Sequence, residues 1–124
     1  MAPNVNTKSI LFLLRQPPYQ SSRAVEAVEA ILVAGVFEQD VSVLFKDDGV
    51  WQLIKNQDGA KLGTRTVGKV LCALPEYDVD KFFVCESSLG ARGLTTDDLI
   101  LAAEPLSFAQ QQALIAKQDA VLND

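Results

Sequence analysis

The chain of 124 residues contains no histidine. This absence excludes Ser-His-Asp and Cys-His catalysis within the chain, and it excludes zinc sites with histidine ligands. Only two cysteines are present, Cys72 and Cys85, which are too few for a four-cysteine cluster. We therefore expect no metal, and we expect no cofactor because no glycine-rich phosphate loop follows the first predicted strand. A reactive thiol here needs activation by a helix start, by an arginine or lysine, or by a partner chain.

Long apolar runs and positive charge are also scarce. No apolar run approaches the ~18 residues that span a bilayer, and the start of the chain lacks the features of a secretory signal. These absences predict a cytoplasmic protein without a membrane partner, whose cysteines are free thiols. The net charge of −5 argues against direct nucleic-acid binding. A loose basic cluster is interpreted as a solvated face; it comprises Lys55, Lys61, Arg65 and Lys69.

Strands and helices alternate along the chain. Apolar runs predict strands at 8–14, 41–45, 82–85, 98–103 and 120–122, with Pro105 breaking the fourth. Helical spacing predicts a first helix capped by Ser21 or Ser22 and ending near Gly35, then helices at 50–55, 64–74, 87–92 and 108–117. Pro75 ends the helix at 64–74, and Ser107 caps the helix at 108–117. The alternation predicts a three-layer α/β/α fold with a mainly parallel sheet of about five strands. One domain is expected over 1–124, with 1–7 flexible and a polar loop at 56–63.

Cys85 is the residue that this pattern singles out. It ends the third predicted strand and is followed by a serine pair and a short helical stretch closed by Gly93. In open α/β sheets the carboxyl ends of strands collect ligands and chemistry. A thiol beside the N–H groups of a helix start can have a lowered pKa and act as a nucleophile. The alternative is that Cys85, like Cys72 in its helical apolar pattern, is a small buried core residue.

Two stretches carry a resemblance to a known family. One runs from Asp40 to Leu53 and contains Asp-Asp-Gly-Val-Trp-Gln-Leu; the other runs from Val84 to Leu94 and spaces Cys85, Arg92 and Gly93 as Cys-x6-Arg-Gly. Together they resemble the DsrE/DsrF family of sulfur-relay proteins, nearest to its TusC/DsrF branch, whose DGVxQL segment is similar to residues 48–53. The resemblance covers nearly the whole chain.

The resemblance implies a small α/β subunit that assembles with related TusB-like and TusD-like subunits, as a hetero-oligomer or homo-oligomer. It implies that a cysteine carries sulfur as a persulfide, and Cys85 matches the cysteine loop of the family. In the Tus branch the sulfur passes toward 2-thiolation of the wobble uridine of tRNA, whereas the Dsr branch works in sulfur oxidation. The D/E-type subunit is the family's best-supported carrier, and the C/F type is usually treated as its companion.

Three hypotheses for function follow. In the first, the chain is a sulfurtransferase subunit in which Cys85 is the persulfide carrier and the N–H groups of Ser87 and Ser88 stabilise its anion. Arg92 then acts as a field effect or structural tether, or is simply a cation at the helix end, and Asp48 caps the helix that follows the second strand.

In the second hypothesis Cys85 is inert and the chain supplies an interface that shapes a partner's active site. Its candidate contacts are Tyr19, Phe37 and Trp51, although Trp51 is better interpreted as a core residue. The third hypothesis is a flavodoxin-like ligand binder that uses the same edge of the sheet.

Overall fold

The structure is a computed structural model that describes residues 7–18, 23–54 and 67–123. The described residues contain one sheet of five strands in the spatial order β4-β3-β2-β1-β5, and every neighbouring pair is parallel. The strands are β1 (Ser9–Leu14), β2 (Asp40–Phe45), β3 (Lys81–Cys85), β4 (Glu104–Leu106) and β5 (Ala120–Asn123). Parallel strands need crossover connections, which are usually helical. The predicted α/β class, with a parallel sheet of about five strands, is confirmed.

Helices supply the layers on both faces of the sheet. The α-helices are α1 (Arg23–Val36), α2 (Val67–Ala73), α3 (Glu86–Ala91) and α4 (Phe108–Ala116), and stretches of 3-10 helix cover Asp47–Leu53, Leu74–Tyr77 and Thr96–Asp98. α2 ends at Ala73, and Pro75 lies in the first turn of the following 3-10 stretch, where its missing N–H costs little. Ser107 caps α4 as predicted, because its hydroxyl accepts the N–H of Gln110 at 3.2 Å.

The two faces of the sheet carry cores of unequal size. The larger core packs α1 and α2 against one face, and the smaller core packs α4 against the other. Side chains alternate between faces along a strand, so Cys85 lies on the same face as Phe83, which packs against the smaller core. Cys85 therefore faces the layer that α4 forms.

The fourth strand lies further along the chain than predicted. Residues 98–103 are not a strand; Leu99 forms only an isolated antiparallel bridge, with Ile54. The strand is Glu104–Leu106, so Pro105 lies inside it instead of breaking it. The reason is the strand order: β4 is an edge strand, and such strands tolerate proline because one side of the strand has no neighbour to accept an N–H.

Two side chains that were interpreted as core residues are exposed. Cys72 lies on the exposed side of α2, because Val70 and Leu71 supply the buried side of this short helix. Trp51 is 37% exposed, and its neighbours Val50 and Leu53 fill the core instead. The core interpretation of both residues is therefore wrong.

The 3-10 stretch Asp47–Leu53 is pressed against the end of β1, and this contact requires a glycine. A Cβ at Gly49 would lie 2.6 Å from the carbonyl carbon of Leu14 and closer still to its oxygen. Asp47 has a φ of 52°, in the left-handed region, which turns the chain directly from β2 into the helix. The helix thus begins at Asp47 with Lys46 as its N-cap, so the prediction that Asp48 caps it is wrong.

Some predictions concern residues outside the described ranges. They are the flexibility of the first six residues, the cap at Ser21 or Ser22, the interface residue Tyr19, the polar loop 56–63 and the cluster members Lys55, Lys61 and Arg65. The remaining member of the basic cluster, Lys69, is exposed on α2. No helix of the described ranges is long and apolar enough to cross a lipid bilayer.

Asp119 joins the start of β5 to the start of β1. Its carboxylate accepts the N–H of Ser9 at 2.8 Å and the hydroxyl of Ser9 at 3.1 Å, and these bonds lower the pKa of Asp119. Since its folded pKa is depressed, this contribution to stability is present above the unfolded pKa and is lost as pH falls through the folded pKa.

We expect Asp119→Asn to be less stable than the unmodified protein at neutral pH, and the difference to vanish in acid. Urea unfolding of both proteins at several pH values measures it. A difference that stays constant down to the lowest pH would contradict an ionic contribution from Asp119.

Candidate functional site

Cys85 lies where a strand, a helix and the carboxyl edge of the sheet meet. It is the last residue of β3 and the N-cap residue of α3, and β3 lies between β2 and β4. The thiol is free, and the residue is only 3% exposed. The predicted transition from strand to helix at this residue is confirmed, although α3 begins at Glu86, one residue before the predicted start. The Glu86 side chain is exposed.

Hydrogen-bonding groups of three residues surround the sulfur. Burial raises the pKa of the Cys85 thiol, but it is outweighed by bonds from the hydroxyls of Ser87 and Ser88, from the Ser88 N–H and from the Gln111 side chain, which lower the pKa to about 7. The Ser87 hydroxyl oxygen lies 3.3 Å from the sulfur. An unperturbed cysteine has a pKa of about 8.5, so at neutral pH a much larger fraction of Cys85 is thiolate, the nucleophilic form.

The Ser88 hydroxyl is held by the loop that follows the neighbouring strand. The N–H of Asp47 donates to the Ser88 oxygen at 2.9 Å. A hydroxyl has one proton and two lone pairs, so this oxygen can accept from Asp47 while its proton points at the sulfur. The Asp47 carboxylate in turn accepts from the Arg15 guanidinium at 2.8 Å. The loops after β1 and β2 thus help to orient the donor at the end of β3.

Arg92 and Asp48 tie α3 to the 3-10 stretch after β2. The Arg92 guanidinium donates to the Asp48 carboxylate at 2.9 Å and to the Ser88 carbonyl oxygen at 3.1 Å. Neither of these hydrogen bonds involves the sulfur. The geometry is that of a tether for the cysteine helix, one of the roles that the sequence left open for Arg92.

Comparison with known proteins identifies the family. Residues 8–123 match the profile of the DsrE/DsrF-like family. The chain belongs to this family. It is 43% identical, over 75% of its length and 68% of the relative's, to the intracellular sulfur oxidation protein DsrF of Allochromatium vinosum. It is 36% identical, over 94% of its length and 98% of the relative's, to a TusC homolog of Pseudomonas aeruginosa. The predicted family, with its TusC/DsrF branch, is confirmed.

A solved structure supports the fold assigned to this DsrE/DsrF-like chain. The crystal structure of the YchN protein from E. coli superposes with a TM-score of 0.83, covering 95% of this chain and 100% of that one. The sequence identity is 18%, so the likeness concerns the fold alone.

The two motifs of the DsrE/DsrF-like chain have a physical explanation here. Gly93, the last residue of Cys-x6-Arg-Gly, has a φ of 67° and ends α3, and the N–H of Leu94 then reaches the carbonyl of Leu89 at 3.0 Å, as in a Schellman motif. Gly49, in Asp-Asp-Gly-Val-Trp-Gln-Leu, allows the backbone to approach the end of β1. Both glycines fix the backbone that carries the groups around Cys85.

Gln111 is a residue of the site that the sequence analysis missed. It lies on α4 and is 2% exposed, and its side-chain amide donates to the Leu106 carbonyl at 3.1 Å. The available signal was a polar residue three positions before Leu114, on the stripe of α4 that packs against the sheet. The periodicity alone does not reveal what such a residue contacts.

An aromatic ring and a cation flank the end of β3. Lys46 follows β2 and Phe108 opens α4 after β4, and the Lys46 ammonium lies 5.8 Å from the centre of the Phe108 ring. Since β3 lies between β2 and β4, this contact crosses the carboxyl end of β3. Phe108 is 68% exposed, so its ring lies open to solvent at this edge of the sheet.

The Arg92–Asp48 pair should contribute little to stability by itself. Its side chains are 22% and 56% exposed, and water screens such pairs. We expect a coupling of at most about 1 kcal/mol in a double-mutant cycle of Arg92→Gln and Asp48→Asn, measured by urea unfolding. A coupling above about 2 kcal/mol would show that the pair behaves as a buried one.

Within the ranges that the structure describes, no group of three or more cysteine, aspartate or glutamate side chains is placed to hold a metal ion.

Proposed function

We propose that this chain is a sulfur-relay subunit in which Cys85 receives and passes on sulfur as a persulfide. The observation that carries the proposal is the set of hydrogen bonds around Cys85, which outweighs the effect of burial and lowers the pKa of the thiol to about 7. A cysteine that only fills the core should have a raised pKa, since burial alone favours the neutral thiol. The membership of the DsrE/DsrF-like family and the names of the relatives support the same reaction.

The proposed step is an exchange between sulfur atoms. The Cys85 thiolate attacks the terminal sulfur of a donor persulfide, R–S–SH. The new S–S bond at Cys85 forms as the S–S bond of the donor breaks, and the donor leaves as a thiolate that takes up the proton of the transferred sulfur. One S–S bond replaces another, so no external oxidant or reductant is needed. An acceptor thiolate removes the sulfur by the same exchange.

Site-resolved mass spectrometry tests this function. The unmodified protein, Cys85→Ser and the matched control Cys72→Ser are incubated with a low-molecular-weight persulfide and digested. We expect one additional sulfur on the Cys85 peptide of the unmodified protein and of Cys72→Ser, and no added sulfur on Cys85→Ser beyond that found at Cys72. Equal sulfur uptake by all three proteins would overturn the proposal.

We propose that the subunit works in the cytoplasm within an oligomer that includes TusB-like and TusD-like chains. Val33, Val36 and Phe37 at the end of α1 are 54%, 57% and 71% exposed, which is an unusual concentration of apolar side chains on a surface. With Trp51, they support the predicted interface and the alternative in which the chain shapes a partner's sulfur site. In that alternative Cys85→Ser leaves thiolation by the assembled complex intact.

The sulfur is proposed to pass toward 2-thiolation of the tRNA wobble uridine, without direct contact between this acidic chain and the tRNA. The alternative destination is sulfur oxidation, which the name of the 43% identical DsrF relative supports. Deletion of the gene, followed by quantification of 2-thiouridine in hydrolysed tRNA, separates the two. Loss of 2-thiouridine supports the first destination, and an unchanged amount supports the second.

A further inference from the structure

Gln111 occupies a position where a polar side chain carries a cost. The residue is 2% exposed and lies on the face of α4 that also buries Leu114. Burying a carboxamide without hydrogen bonds is unfavourable, so an apolar residue would pack at lower cost. The capping box between Ser107 and Gln110 fixes the first turn of α4, and this turn positions Gln111, the next residue of the helix.

The hydrogen bonds of Gln111 place its carboxamide beside the reacting sulfur. Its Nε2 donates to the carbonyl oxygen of Leu106 at 3.1 Å, and Leu106 is the residue of β4 in register with Cys85 on β3. The Gln111 side chain is also one of the groups that lower the pKa of Cys85, as expected for a carboxamide beside the sulfur. A primary amide carries two N–H groups, so one can serve the carbonyl and the other the sulfur.

The Gln111 oxygen gives a second, independent indication of a site. Gln111 Oε1 is buried and has no hydrogen-bond partner among the described residues. A buried acceptor without a partner is costly. Gln118 Oε1 is in the same state, but Gln111 differs from Gln118 in being one of the groups that act on Cys85. A sulfur compound with an S–H that enters beside Cys85 would supply the missing donor.

We propose that Gln111 is a second functional side chain of the thiol site, which donates a hydrogen bond from α4 to the Cys85 sulfur and presents its oxygen to the S–H of the incoming sulfur compound. The role of Gln111 toward an incoming sulfur compound rests on the proposed sulfur relay, whereas its hydrogen bond to Cys85 does not. The serine pair belongs to α3 and Gln111 belongs to α4, so side chains from two helices act on the sulfur. The groups that bond to the sulfur, Ser87, Ser88 and Gln111, are all neutral.

The test is the pH dependence of Cys85 alkylation by iodoacetamide, quantified on the Cys85 peptide. Gln111→Met keeps the length of the side chain and removes the donor, so the Cys85 pKa should rise by about half a unit or more. Gln111→Glu keeps the shape and places a second anion beside the thiolate, so the rise should be larger. The matched control is Gln112→Met, at the exposed neighbouring position, which should leave the pKa unchanged.

Unchanged Cys85 pKa values in folded Gln111→Met and Gln111→Glu would overturn the assignment.

A measurement on the unmodified protein covers the case in which the variants do not fold. The side-chain amide NMR signals of Gln111 should shift as the pH passes through the pKa of Cys85, and they should stay constant in Cys85→Ser. Signals that do not shift in the unmodified protein would also overturn the assignment of Gln111. Sulfur loading of Cys85 is measured separately. If the Gln111 variants shift the Cys85 pKa but the unmodified protein takes up no sulfur, the proposed function is rejected and Gln111 is retained as a donor.

Discussion

Alanine at both Ser87 and Ser88 should raise the pKa of Cys85 from about 7 by roughly 1–2 units. The double variant loses two hydroxyl donors, whereas the burial that favours the neutral thiol remains. At pH 7 the alkylation of Cys85 should therefore slow by about tenfold. The rate of iodoacetamide reaction at the Cys85 peptide, followed from about pH 6 to about pH 10, measures this change.

The limiting rate at high pH is the internal control for access to the sulfur. A thiolate of higher pKa is intrinsically more nucleophilic, so the double variant should reach a limiting rate equal to or above that of the unmodified protein. Ser87→Ala alone should give a smaller pKa shift and leave stability unchanged, because Ser87 is exposed whereas Ser88 also holds Asp47. A double variant that keeps the original pKa would show that the hydroxyls do not stabilise the thiolate.

Gly49→Ala should destabilise the fold by about 3 kcal/mol, at the upper end of the usual cost of overpacking. The new Cβ would lie 2.6 Å from the carbonyl carbon of Leu14 and 3.1 Å from the backbone nitrogen of Arg15. A backbone cannot rotate away as a flexible side chain can, so the 3-10 stretch or the end of β1 has to move. Urea unfolding of the variant gives the loss directly.

Gly90→Ala is the matched control for that substitution. Gly90 lies in α3, and a Cβ there meets nothing within 4 Å. Alanine is favoured over glycine in a helix, so this variant should gain roughly 0.5–1 kcal/mol. Equal effects of the two substitutions would refute the steric role of Gly49. Because Asp47 holds Ser88, Gly49→Ala should also raise the Cys85 pKa.

The elements that meet at Cys85 were predictable because their signals are local. The run Phe82-Phe83-Val84 and the serine pair after Cys85 lie within a few residues of each other, and strand and helix follow from them directly. Ser87 and Ser88 were expected near the sulfur for the same reason. Their backbone N–H groups were the predicted donors. Of these two, the Ser88 N–H lowers the pKa of Cys85, and the hydroxyls of both serines also lower it.

The errors arose where the tertiary structure decides. An apolar run at 98–103 looks like a strand, but β4 forms at Glu104–Leu106 because the edge of the sheet tolerates Pro105. The pairing of Arg92 with Asp48 joins residues 44 positions apart. Gln111 is bonded to Leu106 of β4, which is in register with Cys85 of β3, and no local sequence pattern predicts this strand order.

Competition between the two cysteines of one molecule shows whether Cys85 is the thiol prepared to accept sulfur. The unmodified protein is exposed at pH 7 to less than one equivalent of a small persulfide, and the added sulfur on the Cys85 and Cys72 peptides is compared. The ionisation of the donor affects both cysteines alike, so it cancels in the ratio. We predict that most of the sulfur is on Cys85, although Cys72 is exposed and Cys85 is buried. An equal share, or a majority on Cys72, would contradict the account.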